Sequence, residues 1–149
     1  MDIKGLLQYV DRHTRHNLLF VKGVIEGARY VDIGRELSER ICDKLDNRSL
    51  PMICDDALNE ILDCGTSKDE AVGSYVAICN IGILFEPALL INVHDKFEQC
   101  SREQVLIVNL EGTIVQKTFF LGQEQNSRYS IPLTDITYRT IYDSIEQKK

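Results

Sequence analysis

The sequence predicts a three-layer α/β sandwich around a largely parallel sheet, in one domain spanning residues 1–149. Three observations carry that expectation. Helical apolar periodicity alternates with short apolar runs through the middle of the chain, the order that gives parallel strands joined by helices. Two of those runs, residues 75–79 and 105–108, are uninterrupted, as in strands covered on both faces. A chain of 149 residues with 44% apolar composition can bury one sizeable core, which excludes disorder of the whole chain.

The elements are expected in the following order. Ile3, Leu6, Leu7 and Val10 share a face at helical spacing, predicting an amphipathic helix over residues 2–15. The apolar block Leu18, Leu19, Phe20 and Val21 predicts a strand that Gly23 ends, and residues 30–33 a second one. Leu37, Ile41 and Leu45 recur every four residues, predicting a helix over 34–45 with Asp32 or Gly34 at its start. Asp55 and Asp56 suit the positive end of a helix over 55–63 closed by Gly65, and the polar stretch 65–73 reads as a loop. A strand over 74–79 follows. Asn92 is expected to cap a helix with Val93, Phe97 and Cys100 inward, and residues 104–110 to form the next strand. Residues 113–121 and 129–133 read as two more strands, and Thr134 as the cap of a last helix carrying Ile136, Ile141 and Ile145, fraying at Gln147.

Composition narrows the function classes. A net charge of −6 and a pI near 5.1 weigh against a broad nucleic-acid footprint, though not against a local basic patch. No apolar run approaches the ~20 residues of a membrane helix, and residues 1–4 lack the basic start of a signal peptide. The protein is therefore expected to be soluble and cytoplasmic, with no membrane partner. Five cysteines, Cys42, Cys54, Cys64, Cys79 and Cys100, include no pair separated by only two residues, so they read as reduced and structural rather than as metal ligands.

In parallel sheets, ligands bind beyond the strand C-terminal ends. A phosphate-binding loop after the first strand would end in Gly-Lys-Ser/Thr. The chain instead reads Gly23-Val24-Ile25-Glu26-Gly27-Ala28-Arg29, with an acid where phosphate would sit. Because a helical crossover needs about a dozen residues, so short a link predicts a hairpin or direct bend between the first two strands. The strand over 74–79 ends in Cys79 and Asn80, poor substitutes for the acids that hold magnesium in ATPases. Glu86, followed by Pro87, reads as a turn residue, and Asn109 as a group that satisfies backbone at a strand end. His13 and His16 share a helical face without a third ligand. His94-Asp95 with Cys100 forms a conceivable dyad without an oxyanion hole. The sequence thus offers no catalytic, cofactor-binding or metal-binding residue.

Residues 28–40 (Ala-Arg-Tyr-Val-Asp-Ile-Gly-Arg-Glu-Leu-Ser-Glu-Arg) resemble a segment of the BrxF-type small P-loop proteins of BREX phage-defence systems, in which Tyr-hydrophobic-Asn-hydrophobic precedes Glu-Leu-Ser. Residues 81–89 resemble that family's Ile-x-x-Leu-Phe-acid-Pro-x-Leu. Cys100-Ser101-Arg102 and the strand over 105–108 resemble its Leu-Ser-Arg-Asn turn and following strand. The phosphate loop, its helix and the acid ending the 74–79 strand are missing. The resemblance implies a P-loop-like central sheet that has lost nucleotide binding, a pseudo-ATPase.

The expected function is a non-catalytic adaptor or scaffold in a bacterial antiviral, BREX-like defence system, working through protein–protein interaction or self-association. Two alternatives stand beside it. One is a nucleotide-binding ATPase subunit with an altered or interface-completed site. The other is a small nucleic-acid-associated regulator using Lys22, Arg29, Arg35 and Arg40. Two candidate interaction surfaces emerge: Ile83, Phe85 and Leu89 in the 81–89 loop, and Tyr138 with Tyr142, four apart on the expected last helix.

Overall fold

A computed structural model describes residues 2–11, 13–122 and 129–142. The first segment is not an α-helix. Ile3–Tyr9 forms a 3₁₀ helix started by Asp2, whose carboxylate accepts from the Gly5 N–H at 3.0 Å. In a three-per-turn helix residues three apart stack, so Ile3 and Leu6 are both buried while Leu7 is left half exposed. His16 lies beyond this helix and is buried, whereas His13 is exposed, so the two do not share a helical face.

Strand β1 (Leu18–Lys22) leads to β2 (Tyr30–Asp32), α1 (Ile33–Ile41) and α2 (Leu50–Gly65). Asp32 caps α1 as expected, accepting from the Arg35 N–H at 3.0 Å. The helix ends at Ile41, short of Leu45, which is exposed. The second helix is longer than the expected 55–63 because Pro51 occupies its first turn, where a missing N–H costs nothing. The stretch expected as loop contains β3 (Ser67–Asp69), which pairs antiparallel with β4 (Gly73–Cys79). Residues 82–85 and 87–89 are short 3₁₀ turns before α3 (Val93–Glu103), whose cap Asn92 accepts from the Asp95 N–H.

Strand β5 (Val105–Asn109) follows. The run expected as one strand over 113–121 is folded back as β6 (Gly112–Val115) and β7 (Thr118–Leu121). Gln116 and Lys117 turn between them with φ of 51° and 60°, the left-handed pair of a two-residue hairpin. The remaining strands are β8 (Ser130–Pro132) and β9 (Tyr138–Tyr142). The helix expected from Thr134 is therefore corrected to a turn and a strand. Tyr-Arg-Thr-Ile-Tyr is rich in β-branched and aromatic residues, and Tyr138 and Ile141 pack into the cores on opposite faces of the sheet. Ile145 and Gln147 lie outside the described residues.

The central sheet has the order β2-β4-β5-β1-β9, all parallel, with β3 added antiparallel beside β4; β6, β7 and β8 form a separate antiparallel sheet. Tyr30, Ala77, Ile107, Leu19 and Arg139 stand in one row across the sheet, and Val31, Ile78, Val108, Phe20 and Thr140 in the next. The first row's apolar members face a core with Ile3, Leu6 and Ile25. The second row's face α1, α2, α3 and the small sheet through Leu37, Leu58, Phe97 and Phe119. This is an α/β sandwich, thick on the helical side and covered on the other by the 3₁₀ helix and the β1–β2 connection.

Handedness explains the asymmetry. The connections β2 to β4, β4 to β5 and β5 to β9 all move the same way across the sheet, so right-handed crossovers put them on one face. The connection β1 to β2 moves the other way and must use the opposite face, where Ile25 is buried. The expected hairpin between β1 and β2 is thus corrected: the two strands are parallel, with β5 and β4 between them. The link needs no helix. Eight peptide steps reach about 26 Å, and three strand spacings are about 14 Å, so an extended diagonal suffices.

Candidate functional site

The crevice at the strand C-terminal ends lies between β5 and β1, because their connections leave to opposite faces. To one side of it, across the ends of β2, β4 and β5, stand Asp32, Cys79 followed by Asn80, and Asn109 followed two residues on by Glu111. Asn80 adopts φ +54°, a left-handed conformation that asparagine tolerates. That turn points two successive backbone N–H groups, of Asn80 and Ile81, at the Glu111 carboxylate. Oε1 accepts from Ile81 at 3.0 Å and Oε2 from Asn80 through a short bond. Successive N–H groups of this kind form an anion-binding concavity, and here the chain's own carboxylate fills it.

The site is knitted further. Asn80 Nδ2 donates to Asp32 Oδ1 at 2.8 Å, and the Gly34 N–H donates to the Asn80 carbonyl at 2.9 Å. A Cβ on Gly34 would stand 2.4 Å from Asn80 Nδ2, which is why glycine sits there. Asn109 Nδ2 points at Glu111 Oε2 from 3.5 Å, so its partner is a side chain rather than the backbone expected. The Arg35 N–H, then Asn80, hold the Asp32 carboxyl below the ordinary carboxylate range. Burial, followed by the Asp32 and Glu111 charges, pushes the Cys79 thiol up, the opposite of what a nucleophile needs. The sequence reading took Asp32 as a helix cap and Asn80 as a strand end, but missed Glu111 and the bonds that join the three. Their signal was an asparagine closing a buried strand and an acid just beyond the next one.

The residues singled out from sequence are dispersed. Leu89 is buried, and Ile83 and Phe85 are partly buried against the helical core, with the Phe85 ring 5.9 Å from Phe119. Tyr138 packs edge-on against Phe20 at 6.1 Å, while Tyr142 is 45% exposed; in a strand the two share a face two pairs apart rather than one helical turn. Glu86 is exposed at the turn before Pro87 and makes no capping bond. Of the four basic residues, Arg29, Arg35 and Arg40 line one cleft of about 190 Å³ beside β2, and Lys22 lies away at the end of β1. Among the described residues no cluster of three His, Cys, Asp or Glu is placed to hold a metal, and no helix is long and apolar enough to cross a membrane.

The conceivable His94–Cys100 dyad is corrected. Cys100 is buried beside Gln104, and burial pushes its thiol up to about 11. His94 turns instead to two carboxylates, with Nε2 2.6 Å from Asp135 Oδ1 and Nδ1 3.2 Å from Asp95 Oδ1. Carboxylates only accept, so both bonds require the doubly protonated imidazolium. The bond to Asp135 raises its pKa above the ordinary 6.5. A raised histidine contributes stability that is complete below about pH 6.5, the unfolded value, and is lost as pH rises through the higher folded value. His94→Gln is therefore expected to flatten the stability profile above pH 6.5, measured by denaturant melts across pH.

The chain was compared with protein-family models, curated proteins and solved structures, and none of them matches it.

Proposed function

We propose that the protein is a non-catalytic, P-loop-like adaptor in a bacterial antiviral system of the BREX type. The observation that carries the non-catalytic part lies at the strand C-terminal ends. The backbone anion cradle at the end of β4 is occupied by Glu111, and the chain leaving β1 crosses the opposite face without a helix. A nucleotide phosphate would find no phosphate loop and no loop lysine after β1. The assignment to a defence system is supported by the resemblance of residues 28–40 and 81–89 to BrxF-type proteins.

A groove of about 560 Å³ between residues 84–94 and β8 offers an adaptor surface with Phe85, Ile91 and Ile131 in its walls. Leu90, 75% exposed and left-handed at φ +51°, stands on its rim. Deleting the gene from its native operon and plating phage tests the reading. Plaque numbers are expected to rise when the protein is absent and to fall when Glu111→Gln is supplied back, because an adaptor needs no chemistry at that position. Unchanged plating on deletion contradicts the defence role.

A further inference from the structure

We propose that the protein pairs with a second copy of itself through the outer edge of β9, joining two central sheets into one across a two-fold axis. This pairing needs neither the defence assignment nor the groove at residues 84–94. Among the described residues β9 pairs with β1 alone, so its far side ends the sheet. The backbone there can be assigned residue by residue. The Leu106 and Leu110 N–H groups donate to the Asn17 and Val21 carbonyls at 2.9 Å, so the odd-numbered residues of β1 bond to β5. Its even-numbered residues therefore bond to the odd-numbered residues of β9, because successive residues of a strand bond to opposite sides. The Thr137 N–H points back at His16 Nδ1 from 3.4 Å and keeps the same alternation. Tyr138 and Thr140 are left with N–H and C=O groups aimed outward.

An edge of this kind is ordinarily blunted by proline, a bulge or several charges. Residues 138–142 contain no proline and run in unbroken register along β1, and Arg139 is their one charge. What selects a second copy is the order Tyr-Arg-Thr-Ile-Tyr, which matches itself when reversed about Thr140. An antiparallel pair centred there sets Thr140 against Thr140, Tyr138 against Tyr142 and Arg139 against Ile141. The two Thr140 residues exchange both backbone bonds, as outward-facing residues directly opposite each other do. Threonine pairs and aromatic pairs are favourable cross-strand neighbours, whereas the adjacent register, centred on Arg139, would set like charges opposite each other. Tyr138 already meets Phe20 edge-on at 6.1 Å, and Tyr142, on the same face of the strand, is 45% exposed. Across the axis each Tyr142 ring comes to lie beside Tyr138 of the other copy and extends the cluster of Phe119, Phe20 and Tyr138. The same strand serves on both sides, so the contact closes as a dimer rather than growing into a filament.

Sedimentation velocity on the full chain, from nanomolar to high micromolar protein, tests the pairing. The parent is expected to reach twice the 17.0 kDa chain mass. Thr140→Pro removes the outward N–H at the axis without costing a bond to β1, and is expected to stay monomeric. Tyr142→Lys removes both ring pairs at an exposed position and is expected to weaken the dimer about tenfold. If the proline variant melts early, the lysine variant still decides. Hydrogen exchange locates the contact: the Thr140 amide should exchange slowly in the dimer and faster on dilution. A parent that stays monomeric, a folded Thr140→Pro or Tyr142→Lys variant that dimerises like the parent, or a Thr140 amide whose exchange ignores dilution overturns the proposal. A monomeric parent would leave the adaptor reading standing, whereas nucleotide binding would overturn that reading without touching the β9 edge.

Discussion

Phe20→Ala is expected to lower the free energy of unfolding by about 3–5 kcal/mol, the range for emptying a buried aromatic site. Phe20 is fully buried in the interior strand β1 and gathers three rings around it. Phe119 stacks on it at 5.4 Å with 13° between planes, Phe97 meets it edge-on at 6.4 Å, and Tyr138 does so at 6.1 Å. These rings come from β7, α3 and β9, so the side chain joins the small sheet, the helical layer and the edge strand at one point. Its removal leaves a cavity that three separately anchored elements must close. Equilibrium denaturant melts measure the cost, and a change below about 1 kcal/mol would show that the rings do not converge on this position. Ile78→Ala, Ile107→Ala and Leu37→Ala, all fully buried, belong to the same class.

The second large effect is expected at Gly112, the first residue of β6. A Cβ there would lie 2.0 Å from the Phe120 carbonyl oxygen and 3.0 Å from the Gly122 nitrogen. Both obstacles are backbone of the facing strand, so no side-chain rotation relieves the clash. Gly112→Ala should therefore spread the β6–β7 ladder and cost about 2–4 kcal/mol. Gly73→Ala is the control. Nothing lies within 4 Å of its Cβ, and its penalty comes only from its φ of +81°. Thermal melts of the two variants compare crowding with backbone strain. A larger loss for Gly73→Ala would contradict the close approach at Gly112.

Much of the sheet is written plainly in the chain. Continuous apolar runs mark β4 and β5, because a strand covered on both faces has no polar side to show. Asp32 and Asn92 announce the starts of α1 and α3 through side-chain caps, a local interaction that sequence displays directly. Elements decided by distant partners are harder to see. Tyr138 to Tyr142 becomes a strand because β1 offers a parallel edge, and apolar residues four or five apart imitate helical spacing there. The 3₁₀ form of Ile3–Tyr9 follows from docking on the β1–β2 link, where the Ile3 N–H donates to the Glu26 carbonyl at 2.9 Å. The crossover itself defeats a rule derived from helical connections, since a link without a helix covers the same distance with fewer residues.

The candidate site was legible mainly by what it lacks. The missing phosphate-loop lysine and the Cys79-Asn80 strand end were visible in order, but the role of Glu111 was not. Glu111 follows Asn80 by thirty-one positions, and only the parallel pairing of β4 with β5 brings its carboxylate onto the Asn80 and Ile81 N–H groups. The left-handed turn at Asn80 creates that cradle, and a single sequence shows an asparagine there without showing its conformation.

The central claim is that this sheet carries no working nucleotide site, and isothermal titration of the full chain with ATP and magnesium tests it most directly. The account predicts no binding tighter than about 100 μM, which corresponds to roughly 5.5 kcal/mol. Binding in the low micromolar range that is lost when magnesium is withheld would contradict it.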